Sequence, residues 1–303
     1  MLISQTLLNG LLRGMQLAIV SVGLTMIFKI LGFANFAHVS LVAIGGFLVY
    51  LFYITVNMNL GVSVLLACTL TGIIAVAIDR VVFKRMRAAG SVTPMIASLG
   101  LSIAMRNGIR AIWGSTIRSY EEMVSPGIEF LGARITIPQI WIIGIVATSM
   151  LSFHFLLQKT KLGKAMRATS DNLALAQSRG IETEKVIMYT WFIGASFAGL
   201  GGFLIGWDTQ IYPAMGFDMV IPVFCAVLLG GIGNVYGAML GAMVLGCAEN
   251  LAVFLDFANI INMGGIINLV DSVRVPIQYK YGVSFVTLIV ILLLKPSGIM
   301  GKR

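Results

Sequence analysis

LLNGLLRGMQLAIVSVGLTMIF, residues Leu7 to Phe28, is an apolar run whose one charged residue is Arg13. About 20 such residues, wound as a helix, cross the hydrocarbon core of a bilayer. A helix satisfies its own backbone hydrogen bonds, which is the condition for lying in lipid. Runs of the same kind recur at about Phe33 to Thr55, Leu60 to Ile78, Val92 to Ile112, Pro138 to Leu157, Val186 to Gly206, Phe217 to Leu229, Val235 to Phe254 and Gly282 to Leu294. Phe217 to Leu229 is short for a full span, and Lys29 and Gly32 interrupt the first pair. The expectation is an all-α, polytopic membrane bundle of eight to ten helices or half-helices, forming one transmembrane domain over residues 1–303.

Composition agrees. Of 303 residues 58% are hydrophobic and only 11% charged, with a mean hydropathy of +0.95, whereas soluble domains carry about 25% charged residues. A soluble domain tethered by one helix is excluded. The net charge of +9 is scattered between apolar runs instead of forming a basic face, so it argues for topology and against nucleic acid. Cys68, Cys225 and Cys247 stand singly in apolar stretches and are read as packing residues. The first charge, Arg13, already lies in an apolar run, so no cleaved signal peptide is expected.

Orientation follows from the loops. Asp79 to Arg87 holds four Lys/Arg and Lys159 to Lys185 holds six, and short loops rich in such residues stay in the cytoplasm. The Trp113 to Ile137 connection, with Glu121, Glu122 and Glu129, and the Asp256 to Tyr281 connection go outside. By parity Gly231 to Asn234 and the tail with Lys295, Lys302 and Arg303 fall inside. Nine full spans would leave the N-terminus outside.

The loop over residues 158–185 carries the amphipathic pattern TKLGKAMRATSDNLALAQSRGIETEKV (Thr160 to Val186). Leu162, Ala165, Met166, Thr169 and Leu173 recur at helical spacing, Ser170 or Asp171 can cap a short helix, and Gly180 ends it. Its small apolar residues and its lack of Trp or Phe favour a groove on a protein partner over a lipid interface. Later, FAGLGGFLIG (Phe197 to Gly206) and LLGGIGNVYGAMLGAMVLG (Leu228 to Gly246) concentrate glycine. Gly233, Gly237 and Gly241 share a helix face by spacing, which suits close helix packing, or a broken helix lining a path.

At this point the sequence resembles the permeases of ATP-binding-cassette importers for branched-chain amino acids, of the high-affinity leucine-isoleucine-valine type. Four stretches carry the likeness in order: GLTMIFKILGFANFAH (Gly23 to His38), T-x-L-G-x-A-x-R-A (Thr160 to Ala168) continued by A-x-S-R-G-I (Ala176 to Ile181), FAGLGG, and LLGGIGNVYGAMLGA ahead of Glu249. The resemblance implies a subunit of the bacterial inner membrane, with its C-terminus in the cytoplasm. It implies four partners besides lipid: a second, related permease, two cytoplasmic ATPase subunits and a periplasmic substrate-binding protein. It also implies that a cytoplasmic helix near Asn172 to Gly180 transmits ATPase closure, which makes Gly163, Arg167, Ala168, Asp171, Ala176 and Gly180 candidate coupling residues. Val39 and Ser40 stand where the family usually has Gly and an acid, so a urea or short-amide importer of the same family stays open.

Polar residues inside apolar runs are costly and therefore candidates for function. Asn35 and His38 share a helix face, suiting either a substrate path or a bundle hydrogen bond. Arg106 and Arg110 lie one turn apart near a helix end, either snorkelling or lining an entrance. Glu249 with Asn250 needs an internal partner, for which Arg106 is one option. The two histidines, His38 and His154, lie on separate segments, so no metal site is expected. There is no G-x-x-x-x-G-K-[ST], no catalytic constellation and no cofactor motif, so ATP hydrolysis is expected on other subunits. The rival class is a stand-alone channel or secondary transporter using Asp79, His38 or Glu249.

Overall fold

Residues 2–120, 127–130, 132–254, 276 and 280–301 are described by a computed structural model. Helix α1 (Leu2–Leu31) is ended by Gly32, whose φ of +72° suits glycine and whose N–H reaches the Phe28 carbonyl at 2.9 Å. Asn35 is extended, so α2 (Phe36–Tyr50) starts three residues later than the apolar run predicts, and its end widens into a π turn over Leu51–Thr55. Helix α3 (Leu60–Ile78) passes through a second π turn, Asp79–Phe83, into the short α4 (Lys84–Met86). Then come α5 (Val92–Trp113), a small antiparallel hairpin of β1 (Gly127–Phe130) and β2 (Ala133–Thr136), and α6 (Ile137–Lys159). The remaining elements are α7 (Lys161–Asp171), α8 (Leu173–Ser178), α9 (Thr183–Asp208), α10 (Met215–Asp218), α11 (Val220–Gly230), α12 (Val235–Phe254) and α13 (Lys280–Leu294).

Among the described residues six helices are long and apolar enough to cross a membrane, and Met215–Gly230 and Gly282–Leu294 are shorter apolar helices. The polytopic helical bundle expected from the apolar runs is therefore present; the β-hairpin is an addition that periodicity did not reveal. Two ends are distinguishable. At the first, Arg87 joins Asp79 at 2.6 Å and Glu184 at 2.9 Å, and Met300 N–H meets the Gly230 carbonyl at 3.0 Å. At the other, Ser4 and Gln5 bond the hairpin at Gly132 and Arg134, and Arg118 pairs through its backbone with Ile211. The Lys/Arg-rich loops thus share the first end, called here the basic end. Glu121, Glu122, most of the Asp256 to Tyr281 connection, Lys302 and Arg303 lie outside the described residues.

Between the ends α1, α2 and α9 form the interior: 72% of the apolar 18-residue stretch of α1 is buried, against 17% of that of α6. Lipid is as apolar as leucine, so helices associate through close packing of small residues. Gly45 of α2 lies on Gly199 of α9, and a methyl on Gly14 of α1 would come within 2.8 Å of the Met243 Cα of α12. Tyr120, from the connection ahead of the hairpin, packs against the side of α2: its hydroxyl donates to the Gly46 carbonyl at 2.7 Å, and burial pushes the phenol pKa up.

Candidate functional site

The α6–α7 corner is built by three residues. Thr160 is extended, and its hydroxyl donates to the Leu156 carbonyl at 2.6 Å while accepting from Gly163 N–H at 3.0 Å, the geometry of an N-cap. Gly163 is buried directly against the Leu156 and Leu157 carbonyls, where any side chain would collide with backbone. Arg167 donates to the same Leu157 carbonyl. Met166 and Thr169 point inward at 3% and 2% exposure, and α7 packs on α1, α6 and α9.

The amphipathic pattern does not continue as one helix. Asn172 is extended, with φ −157° and ψ 107°, and its carboxamide oxygen caps α8 by accepting from Leu175 N–H at 3.0 Å. The cap is therefore Asn172 and not Ser170 or Asp171; the Ser170 hydroxyl instead bonds the Arg167 carbonyl. This break turns Leu173 off the face shared by Met166 and Thr169. Leu173 and Leu175 stand exposed, at 39% and 55%. Ala176 is buried beneath α8, Ile181 N–H closes on its carbonyl at 3.1 Å, and Gly180 turns the chain with φ +81°. Gln177 ties α8 to Thr183 at 2.8 Å.

Of the candidate coupling residues, Gly163 and Arg167 thus build the corner, Ala168 is half-buried, Ala176 is interior, and Asp171 and Gly180 are exposed. Spacing had put Leu173 on the same face as Met166 and Thr169 and had passed over Leu175, because it assumed one helix. Behind the corner lies a cavity of about 640 Å³, walled by the end of α1 with Lys29, by Gln158, by Arg167 and Asp171, and by Asn234 and Tyr236. Tyr236 is held by His154 across 2.8 Å.

The intramembrane polar residues occupy separate places. Asn35 and His38 are fully buried, and among the described residues neither side chain has a hydrogen-bond partner of good geometry, His38 lying against the Val20 backbone. Arg106 lays its guanidinium over the Phe217 ring at 5.4 Å. Glu249, fully buried, is paired not with Arg106 but with Arg13, 3.4 Å away, and accepts from the Ser284 hydroxyl. Contacts from α1 and α13 cannot be seen in the neighbourhood of residue 249, although Arg13 was visible as a charge within an apolar run. Gly237 and Gly241 of α12 abut Gly230 and Ala226 of α11, whereas Gly233, with φ +78°, lies in the turn before α12 and off its face.

Near Glu249, at the end opposite the basic loops, a second cavity of about 590 Å³ opens between α1, α6, α9, α12 and α13. Asp208 on its wall accepts from Gln16 at 2.9 Å and from Gln139 at 3.2 Å. Lys280 reaches Asn250 at 3.4 Å. Asn250 is the one residue among these polar groups that the sequence had singled out as a functional candidate; Asp208, Gln16, Gln139 and Lys280 it had not.

Comparison with known proteins adds three likenesses. Residues 6–292 match the family described as branched-chain amino acid transport system, permease component. The chain is 32% identical to the high-affinity branched-chain amino acid transport system permease protein LivH of Escherichia coli K12, and 30% identical to BraD of Pseudomonas aeruginosa. Each alignment covers 98% of this chain and 95% of the relative. Among solved structures, PsaBC from Streptococcus pneumoniae in complex with Fab resembles it in fold, with a TM-score of 0.50 at 11% identity over 95% of this chain and 91% of that one.

Proposed function

The chain belongs to the family of branched-chain amino acid transport permeases, and we propose on that premise that it is the membrane subunit of an ATP-driven importer of branched-chain or related amino acids. It works in the bacterial inner membrane with a second, related permease, two ATPase subunits on the cytoplasmic side and a binding protein that delivers substrate outside. The basic end faces the cytoplasm, by the rule that short Lys/Arg-rich loops stay there, and the C-terminus lies on that side. Translocation runs along the interface of the two permeases and alternates in access.

One observation supports the coupling role above all: the corner of Thr160, Gly163 and Arg167 fixes α7 on α6, and the Gln177 bond to Thr183 ties α8 to α9 at the basic end, with Leu173 and Leu175 turned outward. A short helix presenting two apolar side chains suits insertion into a groove of a soluble motor. Through these contacts a displacement of α8 is passed on to α6 and α9. Gly163, Arg167 and Ala176 serve by holding the shape, and Leu173 and Leu175 by contact.

The test is reconstitution with and without the ATPases, following labelled leucine and urea. ATP-dependent leucine uptake by the assembled complex, and none by this chain alone, is the expected result. Uptake by the chain alone would favour a channel or secondary transporter. Urea uptake without leucine uptake would move the substrate to the short-amide branch.

A further inference from the structure

We propose that the 590 Å³ cavity between α1, α6, α9, α12 and α13 is a binding station for the zwitterion of an aliphatic α-amino acid, Asp208 taking the ammonium group and Lys280 the carboxylate. The inference rests on the importer reading and assigns residues to it.

Charge comes first. Among the described residues Asp208 has no cation within ion-pair distance: its two oxygens are held by the neutral amides of Gln16 and Gln139. Among the described residues Lys280 likewise has no carboxylate within that distance, and its ammonium reaches the Asn250 amide oxygen at 3.4 Å. Asp208 and Lys280 therefore face the same cavity, each oriented by amides and neither in ion-pair contact with the other, although Glu249 and Asp208 attract Lys280 from beyond that distance. Partly buried charges without counter-ions are costly, and a ligand carrying both signs satisfies both together. Arg13 is different, because Glu249 already neutralises it.

Shape comes second. The rest of the wall includes Leu12, Ile205, Met215 and Met219, side chains that suit a branched aliphatic group, with flexible methionines that adapt to several. A volume of this size is in the usual range for small-molecule sites. Its place at the end opposite the basic loops is the side on which the importer reading puts substrate delivery.

The assembled complex, with its ATPases and binding protein, is the material for the test. Leucine uptake into proteoliposomes is measured for the wild type, Asp208→Asn, Lys280→Met, and the charge-keeping Asp208→Glu and Lys280→Arg. The detergent-solubilised permease complex, without binding protein, is melted with leucine, with leucinamide, which lacks the carboxylate, and with 4-methylpentanoate, which lacks the ammonium. The expected result is that Asp208→Asn and Lys280→Met, once recovered as complexes, lose at least tenfold of the maximal uptake rate while the charge-keeping variants retain a third or more. Leucine alone of the three probes raises the wild-type melting temperature, and that rise disappears in Asp208→Asn. Uptake above half the wild-type rate in both neutralised variants overturns the proposal, as does equal protection by all three compounds or by none. A wild-type complex that carries no leucine counts against the amino-acid substrate of the importer reading instead, and the melting experiment then still decides the cavity. Should a neutralised variant not be recovered, its charge-keeping partner and the three probes on the wild type decide the matter.

Discussion

Arg167 donates its guanidinium to the main-chain carbonyl of Leu157, so that α7 occupies an acceptor that the end of α6 would otherwise leave open. Because the donor is charged and the carbonyl part-buried, the bond also sets the angle between the two helices. Arg167→Ala leaves that carbonyl unmatched at a cost of about 1–3 kcal/mol. The expected outcome is a lowered melting temperature of the detergent-solubilised chain together with reduced recovery of ATPase subunits in affinity purification. Wild-type recovery from this variant would separate the corner from coupling.

Gly163 and Leu175 give a contrasting pair. A methyl on Gly163 meets the backbone oxygens of Leu156 and Leu157, neither of which can step aside without moving α6. Gly163→Ala is therefore expected to shift α7 and α8, lowering both thermal stability and ATPase recovery. Leu175 is 55% exposed, so Leu175→Asp is expected to leave stability within about 0.5 kcal/mol of wild type while ATPase recovery falls at least fivefold. Equal loss of stability in both variants would remove the contact role from α8.

Glu249 and Arg13 make a third case. Glu249 is fully buried with Arg13 at 3.4 Å and Ser284 as a further donor. Removing the cation alone strands a carboxylate in an apolar interior, which costs about 3–5 kcal/mol. Arg13→Ala should strongly destabilise the chain, and adding Glu249→Gln should restore much of the loss, since the amide needs no counter-ion. Size-exclusion of heated, solubilised membranes reads both. A double variant no more stable than Arg13→Ala would show that the pair does not act as a unit.

How far these features were legible follows from the range of the interactions that make them. Apolar runs fixed by burial in lipid, such as Leu60 to Ile78, reappear with the same bounds because each helix satisfies its hydrogen bonds within itself. The break at Asn172 was not legible: a carboxamide in mid-pattern either continues a helix or caps a new one, and the choice here goes with the burial of Ala176 under α8 and the bond of Gln177 to Thr183. Arg13 with Glu249 and Gln16 with Asp208 join positions on opposite halves of the chain. Periodicity carries no information about such pairs. Asp208, closing a span at the water boundary, had no local signal separating it from an interfacial acid.

Tyr120 yields the remaining prediction, through pH. Tyr120 belongs to the connection after α5; its hydroxyl donates to the Gly46 carbonyl at 2.7 Å, and burial holds the phenol pKa above its ordinary value of about 10. Tyr120→Phe removes that donor and is expected to cost about 1–3 kcal/mol, seen as a lower melting temperature at neutral pH. The sign of the pH dependence follows from which state ionises first. Below about pH 10 the phenol is neutral in both the folded and the unfolded chain, and its contribution is complete. Above that value the unfolded chain releases the proton while the folded chain retains it, so the contribution shrinks as pH rises toward the folded pKa. Melting curves of wild type and Tyr120→Phe should therefore stay a constant distance apart up to about pH 10 and converge above it. Other groups that titrate there are common to both proteins and cancel in the difference. A separation that persists unchanged into strong alkali would mean that Tyr120 is not sealed against α2.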